Sequence, residues 1–435
     1  MFDDRGRTQG WLEILAVLAQ CQAELGLIPT EAAEAITAGA LVDRLDLDAV
    51  ADQTRKTGHS TLGLINVWRD TLPESSREWV YYGATVQDIT DTWTALVMQR
   101  VLRLVLKDLH QVETALLALS EQHRDTPCLG RTHAQPGLPI TFGFKTAVWA
   151  AEIRRHIDRI AAAHERICVG QLAGAVGTCS FWGPESLELQ RRLCARLGLN
   201  QPEITWLTAR DRIVEFAMLL ALITGTLGKV GNEVTNLQRV EIGEVSEYHP
   251  VGVVGSITMP HKQNPEVSEH LVTLARVVRS TIPVALEGLI HEHERDGAAW
   301  KAEWWLLPEL CLASLAALKF ANELISTLEV HPDHMLANIA AQDGYVLSEP
   351  VMRRLSTELG KHTAHALVYR IAMEGQKAGT TFFDALAADE TIRTCLAEAE
   401  LRSLLEPEQG LGASSELVDS LVERSRRARA KDPVW

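Results

Sequence analysis

Positive charge is scarce in this chain. Lys and Arg number 42 against 57 Asp and Glu in 435 residues, a formal net charge of −15. That balance argues against a general basic surface for nucleic acid, so an anionic ligand has to meet a local positive pocket. Paired cysteines are also lacking: Cys21, Cys128, Cys168, Cys179, Cys194, Cys311 and Cys395 are scattered, odd in number and never spaced Cys-x-x-Cys. This pattern speaks against a disulfide framework or a cysteine zinc site and fits buried thiols in a reducing cytoplasm. The opening Met1-Phe2-Asp3-Asp4-Arg5 is acidic where a secretory leader is basic and apolar, and no unbroken apolar run suited to crossing a bilayer is expected. No long stretch alternates apolar and polar residues, so no substantial sheet is expected. What is left is a soluble chain, 46% hydrophobic, long enough for two or three domains around a large core.

Long helical segments fill that length. Five are rich in alanine and leucine: Thr92 to Arg124, Phe144 to Arg166, Arg212 to Glu247, Glu266 to Leu289 and Glu309 to Leu328. In the first, Val97, Val101, Leu104, Val105, Leu109, Val112 and Leu116 recur at three- and four-residue steps, a stripe to be buried while Arg100, Arg103 and Lys107 face solvent. Helices of this length pack nearly antiparallel into a bundle and can pack against copies of themselves. Ahead of them, Trp11, Ile14, Leu15, Leu18, Cys21 and Leu25 mark a helix stopped at Gly26, and Thr30 reads as the N-cap of the next. Beyond them, Gly360, Gly375, Gly379, Gly410 and Gly412 punctuate shorter helices. The expected architecture is all-α in three helical domains: 1–91, the bundle 92–341 and 342–435.

Polar residues suited to chemistry gather in the breaks between helices. The run Gly255-Ser256-Ile257-Thr258-Met259-Pro260-His261-Lys262-Gln263-Asn264-Pro265, with its lead-in His249 to Val254, is kept out of a helix by glycine and proline. It joins hydroxyls, a cation and an amide, a set suited to holding carboxylates and moving a proton. Further breaks are Thr57 to Thr61, Tyr81 to Asp88, Gly130 to Gly143 (whose glycines and prolines should hold Thr132 and His133 on a bend), Gly174 to Thr178 and Thr208 to Arg212. His291 and His293 sit beside acids, but ligands two residues apart on a helix face different sides, so no metal is expected.

In order and spacing, the Gly255 to Pro265 run resembles the signature Gly-Ser-Ser-x-Met-Pro-x-Lys-x-Asn of the fumarase/aspartase superfamily. Essentially the whole chain is similar to its adenylosuccinate lyase and carboxymuconate cycloisomerase branch. The resemblance implies a homotetramer with a twenty-helix core and active sites shared between subunits, no cofactor, and a small dicarboxylate as substrate. The implied reaction is a trans β-elimination through an aci-carboxylate, typically releasing fumarate. On it, Ser256 matches the base and His133, in Thr132-His133-Ala134-Gln135-Pro136, the general acid. Lys262 and Asn264 hold the substrate carboxylate with Thr258, while Thr85, Gln87, Thr132 and Arg295 complete the binding set and Glu269 orients its neighbours. Tyr81 stands where many relatives carry histidine, and Val86, Ala209 and Ile257 replace polar residues. The segment Trp300-Lys301-Ala302-Glu303-Trp304 is closer to the cycloisomerase form and is expected to line the site, without the phosphate-reading arginine of the purine enzymes. The expected reaction is C–N cleavage of a succinate-type substrate, with carboxymuconate lactonisation, adenylosuccinate cleavage and a catalytically retired scaffold as alternatives.

Overall fold

Apolar spacing at the helical period persists through nearly all of the chain, and among the described residues the computed structural model is accordingly all-α apart from two small two-stranded sheets. It describes residues 1–435 except Ser60, Val251, Val253, Val434 and Trp435, so Ser60 of the Thr57 to Thr61 break and two valines of the loop lead-in lie outside the described residues. The first helices are α1 (Asp4–Glu24), α2 (Thr30–Gly39), α3 (Leu47–Thr57) and α4 (Leu62–Asp70). Asp3 caps α1 and Asp46 caps α3 by accepting first-turn N–H groups. Thr30 does not cap α2. Pro29, extended at φ −63° and ψ 142°, occupies the cap position and Thr30 is the first helical residue, with no side-chain cap bond.

The long helices are α5 (Val86–Gln122), α6 (Phe142–Ile167) and, after the shorter α7 (Ser186–Leu197), α8 (Asp211–Leu237), α9 (Glu266–Glu287) and α10 (Gly297–Thr327). Three boundaries differ from expectation by more than two residues. Helix α5 begins at Val86 because Asp88 folds back to accept the Thr85 N–H at 2.9 Å, one half of a capping box. Helix α8 ends at Leu237 instead of Glu247: Glu244 leaves the helical path and buries its carboxylate against Arg131. Helix α10 starts at Gly297, where Asp296 accepts the Ala298 N–H at 2.8 Å, and runs on through Pro308. An interior proline costs about 3 kcal/mol. Burying Trp300, Leu306, Leu307, Leu310 and Cys311 along α10 contributes roughly 1.5–3 kcal/mol for each large side chain, which outweighs it.

The stripe on α5 is buried as expected except at Leu104, which is 40% exposed, and Arg100, Arg103 and Lys107 are exposed. By length and composition α8 and α10 could each cross a bilayer, against the sequence expectation, but 61% and 50% of their most apolar windows are buried inside the protein.

The chain divides into two compact units, the first formed by Met1–Leu106, Arg159–Leu222 and Val277–Leu315, the second by Lys107–Asp158, Ile223–Arg276 and Ala316–Trp435. The first is centred on Leu12, Ile14, Leu18, Ile36, Leu64, Trp68 and Leu189. The second contains a cluster around Val351, Leu355, Phe382 and Leu386, in the shorter helices between Ser348 and Arg429. It also holds the antiparallel hairpin β1 (Pro127–Thr132) with β2 (Gln135–Thr141), and the pair β3 (Val245–Ser246) with β4 (Glu329–Val330). All seven cysteines are free, and all but Cys395 are buried.

Candidate active site

The bend expected at Thr132 and His133 is the tip of the β1–β2 hairpin. Thr132 pairs with Gln135, leaving His133 and Ala134 as a two-residue turn with φ of 52° and 62°. Such turns favour Asn-Gly because both central residues are left-handed. For histidine and alanine that backbone costs about 1–3 kcal/mol each and persists only where its surroundings over-determine it. They do so here. Arg131 donates to both oxygens of the buried Glu244 at 3.0 and 2.6 Å, and Asn338 donates to Glu244 at 2.9 Å. A Cβ on Gly130 would lie 2.7 Å from the Leu138 carbonyl, so the bulge beside Arg131 requires glycine. His133 is thereby presented exposed on a rigid support, with Thr132 exposed beside it.

The signature loop belongs to the same unit. A Cβ on Gly255 would collide with the Lys262 carbonyl, so glycine lets the loop double back on itself. Ser256, half-buried, accepts the Met259 N–H at 3.1 Å, and the Asn264 amide donates at 2.8 Å to the carbonyl of Gly255, the residue before Ser256. Thr258, Lys262 and Glu269 are exposed, and Lys262 forms no ion pair among the described residues. Glu247, buried, accepts the Val267 and Ser268 N–H groups at 3.0 and 2.7 Å and so caps α9 from the far side of the loop. No local sequence signal announces that cap.

In the other unit, Arg295 donates to the Thr85 hydroxyl at 3.1 Å and to the Ala175 carbonyl at 2.9 Å, while its Nε is buried without a partner. Asp88 accepts the N–H groups of Thr85, Ala173 and Gly174 at 2.9, 2.8 and 3.1 Å. Burial pushes its carboxyl up to about 7 against the downward pull of those donors. Asp88 thus joins the start of α5 to the Gly174 turn, and Arg295 bonds both; the Thr-x-x-Asp spacing of residues 85–88 is the sequence signal for this role. Burial also raises the Tyr81 phenol, with Asp88 adding to the effect, so it stays protonated; its backbone is left-handed at φ 61°.

Gln87 is turned fully inward, its amide donating to Asp91 at 3.0 Å and the Leu207 carbonyl at 2.7 Å. Behind it, Arg210 is buried between Asp91 (2.7 and 3.0 Å) and Glu303 (2.8 and 2.5 Å) and lies over the Trp206 ring. Trp300 and Trp304 lie on the first turns of α10. Helix α10 buries Trp300 and turns Trp304 to a cavity of about 530 Å³ walled by Trp11, Trp93 and Leu307, which none of the candidate residues borders.

Comparison with known proteins follows the same lines. A family model described as "Lyase" matches residues 1–280, and one described as "Adenylosuccinate lyase C-terminus" matches residues 344–421. The N-acetyl-S-(2-succino)cysteine lyase of Enterococcus italicus is 39% identical over 97% of this chain and 92% of its own length. The adenylosuccinate lyase of Methanothermobacter thermautotrophicus is 36% identical over 98% and 96%. The solved 3-carboxy-cis,cis-muconate lactonizing enzyme from Pseudomonas putida superposes with a TM-score of 0.91 at 33% identity, covering 98% of this chain and 96% of that one.

Proposed function

Since the chain belongs to the fumarase/aspartase superfamily of lyases, we propose that it is a lyase that eliminates a nitrogen substituent from a succinate-type dicarboxylate and releases fumarate. Ser256 as alkoxide takes the proton from the carbon next to a carboxylate. The electron pair moves onto that carboxylate as an aci-carboxylate stabilised by Lys262 and Asn264, with Thr258 beside them. The C–N bond then breaks with its electrons leaving on nitrogen, which takes a proton from His133. Thr85 and Arg295 hold the second carboxylate, Thr132 binds substrate beside His133, Glu269 orients its neighbours, and Gln87 supports the binding wall from behind through Asp91. The observation that carries this reading is His133, held exposed on a strained and braced turn, as a proton donor for a poor leaving group requires. A second reading, C–S cleavage of a succinylated thiol, is favoured by the 39% identity to a succinocysteine lyase.

The two readings separate on a panel of N- and S-substituted succinates followed by fumarate absorbance. His133→Asn should lose roughly a hundred- to ten-thousandfold in rate on amine leaving groups and little on thiolates. An equal loss on both would make His133 a binding residue. Adenylosuccinate should be a poor substrate, because the resemblance puts Trp304 where the purine enzymes carry a phosphate-reading arginine. Efficient AMP release from it would overturn that expectation and assign phosphate binding to Arg295 or Lys301.

The proposal includes a homotetramer in the cytoplasm, with domains 1–91, 92–341 and 342–435. Supporting self-association, Leu104, Val148, Met218, Leu222, Val284 and Leu312 are apolar yet exposed on the long helices of one chain.

A further inference from the structure

His249 stands at the root of the signature loop with each ring nitrogen on a backbone carbonyl: Nδ1 is 2.8 Å from the oxygen of Glu247 and Nε2 is 3.1 Å from the oxygen of Asn264. A carbonyl oxygen only accepts, so both contacts are hydrogen bonds only when both ring nitrogens carry protons. A neutral ring keeps one and turns a lone pair on the other. Glu247 and Asn264 are the two stems between which the chain makes its excursion to Ser256, so the ring is a cross-tie between them.

The other ties at this root do not titrate as donors. Gln238 accepts the Glu247 N–H at 2.9 Å and reaches the Gln263 carbonyl at 3.4 Å, and the Glu247 carboxylate is committed to the start of α9. On the far stem, the Asn264 amide donates to Gly255, next to Ser256, at 2.8 Å and to Glu266 at 3.2 Å. The charged groups bonded to these stems are the Glu247 carboxylate, on the Val267 and Ser268 N–H groups, and the Glu266 carboxylate, on the Asn264 amide.

We propose that His249 is a positioning residue for the elimination. Its doubly protonated ring clasps the two stems and, through Asn264 and Gly255, sets Ser256 against the groups that bind the carboxylate; loss of one ring proton loosens the clasp. This rests on the reading of Ser256 as the base, and the test separates the two.

In the full-length wild type, the ¹⁵N spectrum of the His249 ring should show two protonated, hydrogen-bonded nitrogens at low pH. As the ring loses a proton, amide exchange over residues 254–264 should accelerate at least tenfold beyond the intrinsic effect of pH. In His249→Gln that step should vanish. On whichever N- or S-substituted succinate the wild type turns over, kcat should fall roughly tenfold to a hundredfold, the loss typical of a misplaced reacting group, with KM changing by less than about twofold. A ring carrying one proton while the loop is protected, or a His249→Gln chain with wild-type exchange, kcat and pH profile, overturns the proposal. If exchange responds as expected while Ser256→Ala remains fully active, the clasp exists but the assignment of Ser256 as base fails, and with it the positioning role.

Discussion

Ser256→Ala should lower kcat by roughly a hundred- to ten-thousandfold, the range for removing a positioned proton-transfer group, with KM close to that of the wild type. The side chain is small and half-buried, and its partner is the Met259 N–H of the same turn, so the loop should keep its form while losing its base. His133→Ala should be nearly as inactive on amine leaving groups. If the active sites are assembled from different subunits, mixing the two inactive chains and allowing subunit exchange should restore part of the activity, because some sites then receive an intact serine and an intact histidine. Fumarate absorbance measures both effects. Full activity in Ser256→Ala would remove the base, and failure of the mixture to recover would remove the shared site.

Arg210→Met should destabilise the chain by about 3–5 kcal/mol, the cost of taking one partner from a buried ion pair. Arg210 is fully buried between two carboxylates, Asp91 at 1% and Glu303 at 6% side-chain exposure. Burial of Glu303 opposes its ionisation and Arg210 pulls the other way. Without the guanidinium, two acids must protonate or remain charged in a low-dielectric interior. Urea unfolding reads the loss, and an unchanged midpoint would show that the pair adds nothing net. Protonation relieves the repulsion, so the deficit should shrink as pH falls. Glu303→Gln in the same background should recover part of the lost stability.

By itself, the sequence determined the class of fold and the identity of the candidate residues. Apolar residues at helical spacing can be buried only by helices, and the Gly255 to Pro265 run concentrates glycine, proline and polar groups too specifically to be an ordinary connector. Local rules reach as far as local bonds do, and even there one signal went unused: Thr85 and Asp88 form half of a capping box spelled out in four residues, while the expected start of that helix was Thr92. They failed where a partner lies far along the chain. Nothing near Glu244 says that it will leave a helix to hold Arg131, and nothing near His133 and Ala134 says that they will take left-handed backbone, since a turn of that kind is normally written with asparagine and glycine. Glu247 as the cap of α9, Arg210 between Asp91 and Glu303, and His249 between two carbonyls were likewise decided by tertiary structure. The physical reason is common to all of them: a buried charge or donor must find a complement, and that complement is chosen by proximity in the folded chain.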